Sequence, residues 1–193
     1  MSQPDLVLDL DLDGLLDFQT LIQACETEDE VGCVLRLHLA FERMIDFYIS
    51  KAANPEMLSF AEKEKEFSRK VERAVFLGLP LTIANVARHV GQIRNKVAHE
   101  LKPINRHKLD HLIKVIDENL ICCLDGEKKL SDYKIELVGK SPDEVVRLGT
   151  HGDRYDFIVA VAAALHCSGI IIGKRLALDK AKQHFLSAIN LTA

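Results

Sequence analysis

Leu81-Thr-Ile-Ala-Asn-Val-Ala-Arg-His-Val-Gly-Gln-Ile-Arg-Asn-Lys-Val-Ala-His-Glu-Leu101 is the stretch on which the fold turns. Gly78-Leu79-Pro80 just before it is a helix stop. Pro103 closes it, because a residue preceding proline is driven out of the α region. A long helix is therefore expected from Leu81 to about Leu101, and its last turns carry Arg94-Asn95-Lys96-Val97-Ala98-His99. With successive helical residues about 100° apart, Asn95 and His99 share a face, and Arg94 lies about 140° round the axis from His99. The long arginine side chain can curl toward the same volume, and the small Ala98 lets another helix come close. His99 sits in the last turn, where the helix dipole favours a cation and suits a general acid–base group. An Arg, an Asn and a His brought together can hold a phosphate and move protons around it without a metal. The plain alternative is that basic residues and His gather at helix C-termini for dipole reasons alone.

Working outward, the chain keeps a helical period. Residues 12–25 read as a first amphipathic helix, with Leu15, Phe18, Leu21 and Ile22 on one stripe. Thr27 and Glu30 form a T-x-x-E capping box opening a second helix to about Ser50. Its apolar stripe is Val31, Val34, Leu35, His38, Phe41, Ile45 and Tyr48. After Asn54-Pro55 a third helix is expected from about Glu56 to Phe76, with the run Glu62 to Glu66 as a solvated face of i,i+4 ion pairs. Asn105 caps a fifth helix to about Cys123, with Leu109, Leu112, Ile113, Ile116 and Leu120 inward. Asp125-Gly126 reads as a turn, and Tyr133 to Val138 alternates like a short strand. Ser141-Pro142-Asp143-Glu144 is a helix start, and two more helices follow at about 153–172 and 176–190. The expected fold is one all-α domain over 1–193, with its core at about 28–122 and a C-terminal helical extension over 123–193.

Composition is that of an ordinary soluble domain: 193 residues, 48% apolar, 28% charged, no Trp. Five cysteines with no C-x-x-C pair point to reduced thiols in a cytoplasm rather than to disulfides or a zinc knuckle. The start Met1-Ser-Gln-Pro-Asp5 lacks a basic n-region followed by an apolar run, so no secretory signal is read. The net charge of −4 speaks against indiscriminate nucleic-acid binding. Its distribution is uneven, however. Residues 1–30 hold nine acids and no Lys or Arg, whereas residues 88–114 hold seven Lys/Arg against Glu100 and Asp110, plus four His. A locally basic surface on an acidic protein suits a specific anionic ligand; a solvated helix face of mixed charge is the alternative.

Arg94-Asn95-x-x-x-His99 resembles the R-x4–6-H motif of the HEPN superfamily. The lead-in Phe67 to Val71, then Val75-Phe76-Leu77-Gly78-Leu79, and a helix ending Ile93 to Glu100 are similar to HEPN proteins of the mannitol operon repressor group and to HEPN ribonuclease toxins. The resemblance covers about 28–122. It implies an up-and-down four-helix bundle that dimerises, so that facing motif helices share one cleft. It further implies metal-independent endoribonuclease activity, the RNA 2′-hydroxyl attacking the adjacent phosphate to leave a 2′,3′-cyclic phosphate. On that implication His99 is the acid–base, Arg94 steadies the phosphorane oxygens and Asn95 orients the phosphate or His99. Lys96, Lys102, Arg106 and His107 would contact the RNA backbone. RNA, a second copy of the chain, and a cognate antitoxin or regulatory protein are the implied partners. Leu101 stands where toxin relatives carry Tyr. Some relatives keep the fold as non-catalytic regulators that bind protein or nucleotide, which is the second expectation. Glu42 either faces the motif as a buried acid or pairs with Arg43 at the surface.

Other features call for blander readings. His107 and His111 are four apart, a zinc-compatible geometry, but no further ligand completes a set, so no metal is expected. Phe157 to Gly173 is uncharged and ends in a G-x-x-x-G, which reads as a buried or dimer-interface helix rather than a membrane span. Asp9, Asp11, Asp13 and Asp17 lack EF-hand spacing and read as helix-capping acids. Phosphate-loop, dinucleotide and nucleophile-elbow motifs are absent, and no cofactor is expected.

Overall fold

A computed structural model describes residues 12, 14–54, 56, 65–122, 128–136 and 145–190. Six α-helices lie among them: α1 (Phe18–Glu26), α2 (Glu30–Ala52), α3 (Phe67–Phe76), α4 (Leu81–Glu100), α5 (Arg106–Ile116) and α6 (Asp153–Asn190). A π-helical turn, Asp117–Ile121, prolongs α5. The extended residues form one antiparallel pair, β1 (Ile135–Glu136) with β2 (Val145–Val146), Ile135 opposite Val146. The fold is all-α, as the periodicity predicts. Of the strand expected over Tyr133 to Val138, Ile135 and Glu136 are β1 and Tyr133 and Lys134 are not; residues 137 and 138, Asp125-Gly126 and the helix start at Ser141 fall outside the described residues, and Val145 and Val146 just beyond Ser141 are strand, not helix.

α2 is the hub, touching α1, α3, α4 and α6. Its Phe41, Met44, Ile45 and Tyr48 are fully buried in one continuous core with Ile83, Val86 and Val90 of α4, Leu109 and Leu112 of α5, and Phe157 and Val161 of α6. Leu35, read as part of the α2 stripe, is instead exposed. The C-terminal helix α6 lies against α2 and α5 and supplies part of the same interior. It is also one helix rather than two. Cβ positions built at Gly169 and Gly173 meet Leu16 at 3.4 Å and Leu12 at 3.8 Å, so leucines of the N-terminal segment cover the G-x-x-x-G face. The apolar run of α6 is thereby a core helix of this fold, most of it buried.

Helix ends show where local chemistry departs from pattern. α1 begins at Phe18, because Asp17 accepts from Thr20 N at 2.9 Å as its N-cap. Arg43 of α2 grips both Asp17 and Thr20, which turns Thr20 and Ala24 inward and leaves Phe18 and Ile22 exposed, against the expected stripe. Asp29, not Thr27, caps α2, accepting from Val31 N and Gly32 N; Thr27 is instead the C-cap of α1, its hydroxyl on Gln23 O. Of the helix expected from about Glu56 to Phe76, Glu56 is helical, Lys65 and Glu66 are not, and α3 begins at Phe67 because Glu66 is extended; residues 57–64 lie outside the described residues, as do Asp9, Asp11 and Asp13.

The stops around α4 hold. Gly78 takes φ +98° and α3 closes in a Schellman arrangement, Leu79 N to Ala74 O (2.8 Å) and Gly78 N to Val75 O (2.9 Å). At the far end Leu101 adopts φ 50° and bonds back to Val97 O, and Asn105 caps α5 by accepting from Lys108 N. If α6 is core, Phe157→Ala should cost about 3–5 kcal/mol in urea denaturation, the value for emptying a buried aromatic site. A chain stopped at residue 150 should lose its cooperative transition altogether.

Candidate anion-binding site

Arg94 is half-buried on α4. Its Nη1 donates to Asn95 Oδ1 at 2.7 Å, while its Nε is buried with no hydrogen-bond partner. Among the described residues Arg94 makes no ion pair. Arg94 and Asn95 line a pocket of about 500 Å³ with His38, Phe67, Ser68 and Arg88. Three cations, Lys65, Arg88 and Arg94, face it against one acid, Glu66, which is paired with Arg69 at 3.2 Å. Arg88 has only a loose contact to Glu72 at 4.0 Å. A partly buried guanidinium with an open donor and no carboxylate suits an anion such as a phosphate.

His38 of α2 forms the back wall. It is 3% exposed, its Nδ1 lies 3.9 Å from Glu42 Oε2, and its ring meets the Phe67 ring edge-on at 4.4 Å. Gly91 makes this approach possible: a Cβ there would sit 3.2 Å from Phe67 Cδ1 and Cε1 and 3.9 Å from His38 Nε2. Burial first, and then the Arg94 guanidinium, push the His38 imidazole down to about 4, with Glu42 opposing and Lys70 assisting. Glu42 lies beside His38 and pairs with Lys70 at 2.8 Å rather than with Arg43. Lys70 also binds Asp46 at 2.8 Å; although burial works against its charge, these hydrogen bonds hold it above its ordinary value.

The other expected site residues do not join this pocket. His99 is exposed at the end of α4 and lies outside it. Lys96, Lys102 and Arg106 line a separate groove of about 460 Å³. There Lys102 pairs with Glu100 at 3.2 Å. Arg106 is held by Asp110 (2.8 Å), Asp153 (2.9 Å) and the fully buried Asp156 (2.6 Å), which also accepts from Gly149 N. Its charge is committed to fastening α5 to α6, so the substrate-contact reading gives way to a structural one. His107 lines a third depression with His89 and His111, whose rings stack at 4.7 Å. No group of three metal-ligating side chains is arranged to hold an ion among the described residues. The four described cysteines are free thiols, and burial pushes Cys33 up to about 12.

Of the residues lining this pocket, the sequence marked Arg94 and Asn95 as site candidates, His38 as a stripe residue, Phe67 and Ser68 only as part of the lead-in and Arg88 only as part of the basic window. The available signal was a histidine among apolar neighbours, facing a helix that carries a glycine. No family model, curated protein or solved structure matches the chain.

Two stability predictions follow from these contacts. His38 binds its proton less readily folded than unfolded, so its contribution is present above pH 6.5 and is lost as pH falls toward 4. Wild type should therefore lose roughly 3 kcal/mol more than His38→Gln across that window, read from urea midpoints at each pH. Arg106→Gln leaves Asp156 buried without its cation, and should lower stability by about 1–3 kcal/mol in the same urea measurement.

Proposed function

We propose that this chain is a HEPN-like endoribonuclease, a toxin or defence effector acting in the cytoplasm as a homodimer, that cleaves RNA without a metal through 2′-hydroxyl attack. The observation that carries this reading is the uncompensated Arg94 guanidinium in a cationic pocket beside Asn95. Arg94 there would balance the charge that builds on the phosphorane oxygens. His99, exposed about one turn beyond Asn95, is left for a phosphate chain running out of the pocket or for the site of a second copy. The resemblance of Arg94-Asn95-x-x-x-His99 to the HEPN motif supports the same assignment.

The position of His99 outside the pocket favours a second reading, a non-catalytic regulator that binds nucleotide or protein through Arg94. One assay separates them: purified wild type, Arg94→Ala and His99→Ala incubated with RNA in EDTA. The ribonuclease reading expects cleavage to a 2′,3′-cyclic phosphate by wild type and a loss of about 10²–10⁴-fold in each variant. Cleavage surviving in both variants, or abolished by EDTA in wild type, contradicts it. The regulator reading expects neither cleavage nor growth arrest on expression.

A further inference from the structure

We propose that His38 is the proton acceptor of the Arg94 pocket, with His99 left as the proton donor. The inference rests on the ribonuclease reading and divides its chemistry between two imidazoles. His38 Nε2 faces α4 at the one position with no side chain, Gly91, in the same wall as Arg94 and Asn95. Among the described residues its ring makes no hydrogen bond; it has only the 3.9 Å approach to Glu42 and the edge contact with Phe67. A buried imidazole with an open nitrogen beside an unpaired guanidinium is expensive for stability alone and suits a base set next to a phosphate.

In the step proposed, the O2′ proton passes to a His38 ring nitrogen as O2′ bonds to phosphorus. The P–O5′ bond breaks, and the departing O5′ takes a proton from protonated His99. The products are a 2′,3′-cyclic phosphate and a 5′-hydroxyl, and the two histidines exchange protons with water to reset. No electrons are transferred and no co-reactant is needed.

The charges around His38 give the arrangement a gate. Burial is the largest influence keeping His38 neutral; of the charges, Arg94 from α4 and Lys70 from α3 oppose its protonation and Glu42 on its own helix favours it, and among the described residues no group of α1, α5 or α6 acts on it. Burial and the Arg94 guanidinium keep the ring neutral and a weak base. A phosphate seated on Arg94 offsets the guanidinium and raises the proton affinity of His38 at the moment it is needed.

The test joins two readouts on the full chain. In the first, the imidazole NMR signals of His38 in wild type are titrated with pH, alone and with a non-cleavable 2′-O-methyl oligonucleotide. The oligonucleotide should move those signals and shift the His38 midpoint upward by a unit or more, which a purely structural histidine does not do. In the second, cleavage by wild type, His38→Gln and His38→Asn is followed in EDTA. Both variants should lose about 100-fold or more in kcat while binding the 2′-O-methyl probe within about threefold of wild type. Unmoved His38 signals overturn the proposal, as does wild-type-like cleavage by a folded His38 variant, and both leave the ribonuclease reading standing if Arg94→Ala and His99→Ala are inactive. Absence of cleavage by wild type sinks the ribonuclease reading and the base role together.

Discussion

Everything that distinguishes this bundle from an inert stack of helices depends on the close approach at Gly91. A side chain there would run into Phe67 of α3 at 3.2 Å and crowd His38 of α2, so three helices meet at the one position of α4 that has no side chain. That approach buries His38 and brings it within electrostatic reach of Arg94. The Glu42–Lys70–Asp46 chain ties α2 to α3 just beyond and fixes the angle at which they reach α4. Packing at one glycine thus sets the electrostatics of the pocket.

The contrast between Arg94 and Arg106 shows how the same residue type is used twice. Arg106 meets three carboxylates, one of them fully buried, and fastens two helices. Arg94 meets an amide oxygen and an open pocket. An exposed ion pair contributes little to stability, whereas a buried carboxylate robbed of its cation is costly. The two arginines therefore differ: Arg106 spends its charge on the fold, whereas Arg94 keeps a buried donor unpartnered.

Much of this was legible in the chain. Gly78-Leu79-Pro80 and Pro103 bracket α4 because a positive φ and a proline leave the helix few alternatives, and the helices α2, α4 and α5 follow from their period. Caps were less legible: Thr27 and Asp29 both satisfy the local rule, and only the first-turn amides of Val31 and Gly32 choose Asp29. The face of α1 could not be read, since Phe18 and Ile22 look like core until Arg43 turns the helix. The continuity of α6 was hidden for a similar reason: leucines from the N-terminal segment cover its glycines. Within the site, Arg94 and Asn95 stood out as a motif. His38 did not, because its neighbour Gly91 is 53 positions away in sequence and only tertiary packing joins them.

We propose that Arg94 serves an anionic ligand. The most direct measurement is a crystal structure grown with a non-cleavable 2′-O-methyl oligonucleotide. A phosphate is expected on the Arg94 guanidinium between Arg88 and His38, with a His99, from the same chain or across a two-fold axis, near the next bridging oxygen. An oligonucleotide seated instead on the His89–His107–His111 face, with Arg94 still bonded to Asn95 alone, would contradict it.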